Sequence, residues 1–295
     1  DGAIFVIDGV KRTSADFNNI DPNEIESVSV LKDAYAVAVY GLDASGAFIV
    51  TTKRGMNQKM AISYSGTMGI SQSANQQKWL DGPGYAYWYN KARTMDGDAE
   101  VFNADMVTNM RNGTNGWGNT NWYDKVVGTG QKQNHNVSAT GGNDKVNFFA
   151  SIGYLNEKGN IANFNYDRLN LRSNIDAKLT KNLTFSLGVA GRIEMRKAPR
   201  YSANPNDWAN VPQQTIRALP YVPEKMEKDG KSYYVSTPTA SSPVNPMAAI
   251  NESGYSNSDR SYFQSTFSLK YDAPWLKGLS FKVQGAYDLT YSFGK

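Results

Sequence analysis

Along most of the chain apolar and polar residues alternate at every second position, the period of a β-strand with one wet and one dry face. From residue 60 to 71, Met60, Ile62, Tyr64, Met68 and Ile70 fall on one face. Ala61, Ser63, Ser65, Thr67 and Ser71 fall on the other. A shorter strand is predicted near His135 to Thr140, and five cleaner ones follow. Val146, Phe148, Ala150, Ile152 and Tyr154 alternate with Asn147, Phe149, Ser151 and Gly153. Leu169, Leu171, Ile175, Ala177 and Leu179 alternate with Arg168, Asn170, Arg172, Asn174, Asp176 and Lys178. Leu183, Phe185, Leu187, Val189 and Ile193 alternate with Thr184, Ser186, Gly188 and Arg192. Phe263, Phe267, Leu269 and Tyr271 do so against Gln264, Thr266, Ser268 and Lys270. Leu279, Phe281, Val283, Tyr287, Leu289 and Tyr291 do so against Ser280, Lys282, Gln284, Asp288 and Thr290. Strands of roughly 9 to 13 residues are long for a sandwich and suit a tilted membrane crossing.

The connections alternate in length. Gly141-Gly142-Asn143, Thr180-Lys181-Asn182 and Ala273 to Gly278 are short turns. The intervening connections are longer, around Gly159 and over about 72–130 and 195–258. Short turns on one side and long loops on the other are the habit of outer-membrane barrels, with the long loops outside. The apolar faces are then expected to meet lipid, and Arg168, Arg172, Asp176, Lys178 and Lys282 to point into a wet lumen. Tyr154, Tyr166, Tyr271, Trp275, Tyr287 and Tyr291 are candidates for aromatic girdles. Within the first long loop, Pro83 to Met95 is expected to form an amphipathic helix with Tyr85, Trp88, Tyr89 and Ala92 on one stripe. The alternative is a soluble β-rich carbohydrate-binding or glycan-degrading domain, whose apolar face would be a core.

The N-terminal stretch has a different texture. Asp21-Pro22 opens a helical turn, with Pro22 suited to a first helical position and Glu24 three residues beyond a capping Asp21. Ile25 to Leu31 reads as a short buried strand. Ala34 to Tyr40 reads as a helical turn stopped by Gly41, and Phe48 to Thr52 as a further strand. Ile4 to Val10 (IFVIDGV), Glu24 to Val28 running into Val30-Leu31-Lys32-Asp33-Ala34, Val39-Tyr40-Gly41, and Ile49 to Gly55 (IVTTKRG) come in that order. In sequence and order they resemble the plug of TonB-dependent outer-membrane transporters of the SusC/RagA type. Ser45-Gly46-Ala47-Phe48 departs from the family's usual Asn-Gly-Val-Ile, a change conservative in size.

The resemblance implies part of a small α+β plug over residues 1–55. A partial transmembrane antiparallel β-barrel of about seven strands is expected over residues 56–295. It implies the outer membrane of a Gram-negative cell, the plug being reached from the periplasm. The implied activity is TonB-dependent import of oligosaccharides or peptides, with no bond made or broken. Implied partners are a SusD-like surface lipoprotein, outer-membrane lipid, and the TonB complex through a segment this sequence lacks. On that reading the 295 residues are a fragment of a longer chain, since closure of such a barrel takes ~22 strands.

Composition narrows the chemistry. Charged residues make up 20%, and no run of ~18 apolar residues exists for a membrane helix. There is no cysteine and one histidine, His135, so a disulfide framework and a zinc site are not expected. Asp96, Asp98 and Glu100 lack the spacing of a calcium loop. No phosphate loop, serine elbow or singled-out carboxylate pair appears, so no catalytic residue and no cofactor are expected. Basic residues are dispersed, which argues against nucleic acid. The long loops hold Trp79, Trp88, Trp117, Trp122 and Trp208, whose rings are candidates for stacking on sugars or peptide side chains.

Overall fold

The computed structural model describes residues 3–32, 46–74, 78–200, 211–236 and 245–295. The expected turn at Ala34 to Tyr40 and the candidate Trp208 lie outside them. Near the N-terminus, β1 (Ile4–Ile7) and β2 (Val10–Arg12) form a hairpin around Asp8 and Gly9, both at positive φ. They join β3 (Ile25–Leu31) and β4 (Ala47–Thr52) in a sheet ordered β2-β1-β4-β3. Helix α1 (Ser14–Asn18) is closed by a capping box between Thr13 and Asp16. Ile7, Ile20 and Val50 are buried together, with Phe17 and Ile25 against them. This unit therefore has a core of its own. β3 is not the buried strand its β-branched sequence suggests. It lies at the sheet edge with Val28 and Val30 exposed, so its composition reflects strand propensity rather than burial.

The remaining strands are β5 (Ala61–Ser71), β6 (Gly130–Gly142), β7 (Val146–Lys158), β8 (Asn165–Lys178), β9 (Leu183–Pro199), β12 (Tyr255–Asp272) and β13 (Ser280–Gly294). They form one open, antiparallel sheet ordered β13-β12-β9-β8-β7-β6-β5. The strand near His135 is longer than its apolar residues indicate. Gln131 to Asn134 carry no alternation, yet they pair with β5 on one side and β7 on the other. β9 and β12 likewise run on through Arg196, Lys197, Ser256 and Asn257. Backbone pairing continues there after the hydrophobic signal has ended.

The predicted faces are the observed ones. The outer face exposes Ile62, Tyr64, Val137, Ile152, Tyr154, Leu171, Ile193, Phe263, Phe267, Leu289 and Tyr291. The inner face, against the N-terminal unit, buries Asn136, Ser151, Asn170, Arg172, Asn174 and Arg192. Tyr166 is a correction to the girdle set. It shares the inner face with Arg168 and Asn170 by strand parity, and Tyr154 takes the outer one. Tyr271 and Trp275 do meet on the short-turn side, with ring centroids 5.9 Å apart. His135 is on the outer face, its Nδ1 2.8 Å from the Tyr64 hydroxyl.

Three short connections lie at one end of the sheet, and the described residues of the connections 72–129, 159–164 and 200–254 lie at the other. The chain leaves the N-terminal unit at the short-turn end. There Gly142 N–H donates to Gln58 O at 3.0 Å. Gly55 passes so close to β7 that a Cβ would meet Phe148 N at 2.0 Å, so only glycine can cross there.

The two long connections pack on one another as a shelf. It is built from α2 (Gly82–Met95), α3 (Ala104–Asn112), α4 (Trp122–Val126), α5 (Val211–Arg217), α6 (Pro246–Glu252) and the hairpin β10 (Lys225–Lys228) to β11 (Lys231–Tyr234). Trp122, Ala218 and Val222 are buried together, as are Val126, Val211, Ala249 and Ile250. Gly118 and Thr120 N–H donate across to Tyr221 O and Pro220 O. The stripe expected on α2 is rotated. Gly82, Ala86 and Asn90 are buried, and Trp88 faces outward. Asn90 takes the inner position because both its polar atoms are hydrogen-bonded: its Nδ2 donates to Phe102 O, and its Oδ1 accepts from Val101 and Phe102 N–H.

Candidate functional site

The arrangement with the most chemistry is the seam between the N-terminal unit and the inner face of the large sheet. Asp21 caps the 3-10 turn Pro22–Glu24 by accepting from Asn23 N–H, as its position after Ile20 suggests. Glu24 does not return to complete a capping box. The turn projects it into the sheet, where Oε1 accepts from Ser151 Oγ at 2.8 Å and Oε2 from Arg172 Nε at 2.8 Å. Both side chains of this ion pair are almost fully buried, at 6% and 3% exposure. Asn136 Nδ2 donates to the other oxygen of Asp21 at 3.3 Å.

Further contacts flank this centre. Asn174, 1% exposed, donates to Thr52 Oγ1 at 2.9 Å and Lys53 O at 2.7 Å. Arg54 donates to Asp176 at 2.6 Å. On the far strands, Arg12 grips both oxygens of Asp288 at 3.1 and 3.0 Å and also reaches Gln264, which in turn donates to Asp16. Gln284 Nε2 donates to Asp8 O, fixing the β1–β2 hairpin against β13. Of the lumen charges expected from sequence, Arg168, Arg172 and Asp176 therefore meet the N-terminal unit directly, Arg168 through Asn19 at 3.4 Å.

The chemistry of this seam is informative. A unit with its own apolar core is held to a wall by hydrogen bonds and ion pairs. Water can replace such contacts at lower cost than it can fill an opened hydrophobic core, so parting this seam exposes less apolar surface than unfolding the unit would. Arg12, Ser151, Asn136 and Asn174 were not singled out in the sequence. Alternation marks Ser151 and Asn174 as inner-facing and gives no face for Asn136, and nothing local identifies their partners more than a hundred positions away.

The loop tryptophans divide. Trp122 is 3% exposed, with Nε1–H donating to Leu219 O at 3.0 Å, and has no free ring face. Trp117 is half-buried against Phe102 and Tyr221. Trp88 is exposed, with Tyr87 edge-on and the Lys91 ammonium 5.0 Å from its ring. Trp79 is partly exposed and lines a recess of about 230 Å³ with Leu80, Tyr85 and Ile216. No group of acidic or histidine side chains among the described residues is arranged to hold a metal ion, and Asp98 is paired with Arg93 at 2.9 Å.

Tyr85 and Tyr221, 5.5 Å apart in this shelf, have hydroxyls pushed above the ordinary value of 10.0. Burial is the main cause, and the neighbouring phenol of Tyr89 adds to it in both. A raised value favours the neutral form in the folded state. Its stabilising contribution is complete below the unfolded value of ~10 and is lost as pH rises through the folded one. Alkaline titration followed by phenolate absorbance and tryptophan fluorescence should show the shelf loosening only above that point. Loosening near pH 8 would contradict it.

Residues 2–48 match the family model of the TonB-dependent receptor plug domain. The TonB-dependent receptor SusC of Bacteroides thetaiotaomicron is 29% identical over 276 residues, covering 85% of this chain and 25% of that protein. The TonB-dependent receptor P26 of Formosa agariphila is 30% identical over 185 residues, or 61% of this chain and 18% of that one. Among solved structures, the RagAB peptide importer in its closed-closed state superposes with a TM-score of 0.75 at 19% identity. The match takes in 99% of this chain and 35% of that one. The open-open state gives 0.76 at 20% identity over 99% and 34%. The chain thus spans a quarter or less of these curated relatives and about a third of the RagAB chain.

Proposed function

We propose that this chain, which carries a TonB-dependent receptor plug sequence and has SusC/RagA-type relatives, is the plug and first wall strands of an outer-membrane nutrient importer. Residues 1–55 act as the plug, and residues 56–295 as an arc of a larger barrel whose remaining strands close it. The outer face meets lipid. On β13 the apolar positions run from Phe281 to Tyr291. Ten steps of about 3.4 Å each, tilted about 40°, cover roughly 25 Å, the height of an outer-membrane apolar band. A soluble carbohydrate-binding domain would leave this surface in water, which monomeric soluble proteins rarely do. The short turns face the periplasm and the shelf faces outward.

The observation that carries the reading is the polar seam. A self-contained plug fastened through Glu24–Arg172 and its neighbours can be drawn aside and reseated. In the proposed cycle, an oligosaccharide or peptide is captured at the outer mouth beneath a SusD-like surface lipoprotein, and TonB then pulls the plug from the periplasmic side. Trp79 and Trp88, with free ring area, are the proposed contacts for substrate or lid. Trp117, Trp122 and Trp208 are weaker proposals, Trp122 because of its burial. RagAB is described as a peptide importer, which makes peptides a natural first substrate class to test.

The test is uptake of labelled peptide and glycan pools by cells making the full-length protein, with and without a functional TonB. Accumulation only with TonB supports the proposal. Accumulation indifferent to TonB, or a full-length protein that stays soluble without detergent, contradicts it.

A further inference from the structure

We propose that the inner-face recess at the long-connection end of β7, β8, β9 and β12 is a subsite for a carboxylate group of the transported molecule, with Arg196 as its ligand. The proposal rests on the importer reading and deepens it by naming a substrate chemistry. The recess holds about 360 Å³, room for one sugar ring or one amino-acid residue, and its walls include Glu157, Phe164, Tyr166, Arg196, Ser256 and Ser258. Strand register sets four of these in a single row. Glu157 pairs with Tyr166, Tyr166 with Arg196, and Arg196 with Ser258. Their parity puts all four on the inner face.

The position fits a passage site. One inner row nearer the short turns, Arg168 touches Asn19 of the plug. The recess is thus the first stretch of wall beyond the plug on the outward side, where an arriving molecule would rest before the plug moves. The charge balance sets the ligand. Glu157 is paired with Lys132 at 3.5 Å, and Glu194 with Arg192 at 2.7 Å. Arg196 is exposed and makes no ion pair or hydrogen bond among the described residues. The recess therefore presents an uncompensated guanidinium, whose planar N–H fork matches a carboxylate, and the exposed Lys197 at its wall, without an ion pair among the described residues, adds a second positive charge. The Tyr166 ring beside it offers a packing surface for a sugar ring or side chain, and two serine hydroxyls offer hydrogen bonds. A peptide C-terminus and a uronic acid residue share this chemistry.

The experiment is calorimetric titration of the full-length protein in detergent with two matched pairs of probes. One pair is trigalacturonate and neutral galactotriose; the other is a tetrapeptide with a free C-terminus and its C-terminal amide. In at least one pair the acidic member should bind about 10- to 100-fold more tightly. Arg196→Gln should abolish that gap, and Arg196→Lys should retain part of it. Which pair shows the gap identifies the source of the carboxylate. Arg196 is exposed, so neither variant threatens folding. Equal binding within both pairs, or a gap that survives Arg196→Gln, overturns the subsite; TonB-driven uptake in that case would leave the importer reading standing. Loss of TonB dependence in the unaltered protein would remove that reading and the subsite with it.

Discussion

Glu24→Ala in the full-length protein should weaken the plug's hold on the wall by about 3–5 kcal/mol, because it strands the Arg172 charge in a buried site. Arg172 has 6% of its side chain exposed, and its Nε would lose its acceptor, as would Ser151 Oγ. The expected phenotype is a plug that protease clips readily and a pore that leaks small solutes without TonB. Replacing both partners, Glu24→Leu with Arg172→Met, removes the charges together and should restore much of the seating, since well-packed apolar residues often substitute for a buried pair at little cost. It should also resist TonB-driven opening, because an apolar seam parts less readily in water than a polar one. Single and double variants leaking alike would mean that the pair contributes nothing to seating.

Trp122→Ala should cost the outer shelf about 3–5 kcal/mol, the usual penalty for emptying a large buried aromatic site. The indole packs against Ala218 and Val222, and its N–H holds Leu219 O. Two connections distant in sequence meet at this ring, so its removal uncouples 78–129 from 211–236 and 245–252. The large sheet lies apart from this cluster. Limited proteolysis should therefore cut the shelf early in the variant while the strands stay protected. Trp88→Ala, by contrast, removes an exposed ring and should leave proteolysis unchanged. If the two variants are cut alike, Trp122 is not the shelf's anchor.

Much of this architecture is legible in the sequence because a sheet with one dry face writes itself at period two. The seven strands, their faces and the alternation of short and long connections follow from that. Strand ends did not follow, since Gln131 to Asn134 and Arg196 to Lys197 carry no alternation and are held by pairing alone. Tyr166 shows the limit of composition. It sits near a strand end like the girdle residues, and only its parity with Arg168 reveals that it faces inward. Glu24 is the clearest case of tertiary context overriding a local rule. Its spacing from Asp21 fits a capping box, but Arg172, distant in sequence, offers a stronger partner than a backbone N–H. The seam was half readable: alternation gives the inward faces, and only the fold gives the pairings.

The central claim is that residues 1–55 close a pore that the wall strands help to form. The measurement that bears on it most directly is the conductance, in planar lipid bilayers, of the full-length protein with those residues deleted. The account predicts large, stable, open channels from the deleted form and a nearly silent intact protein. Equal conductance from the two would contradict it.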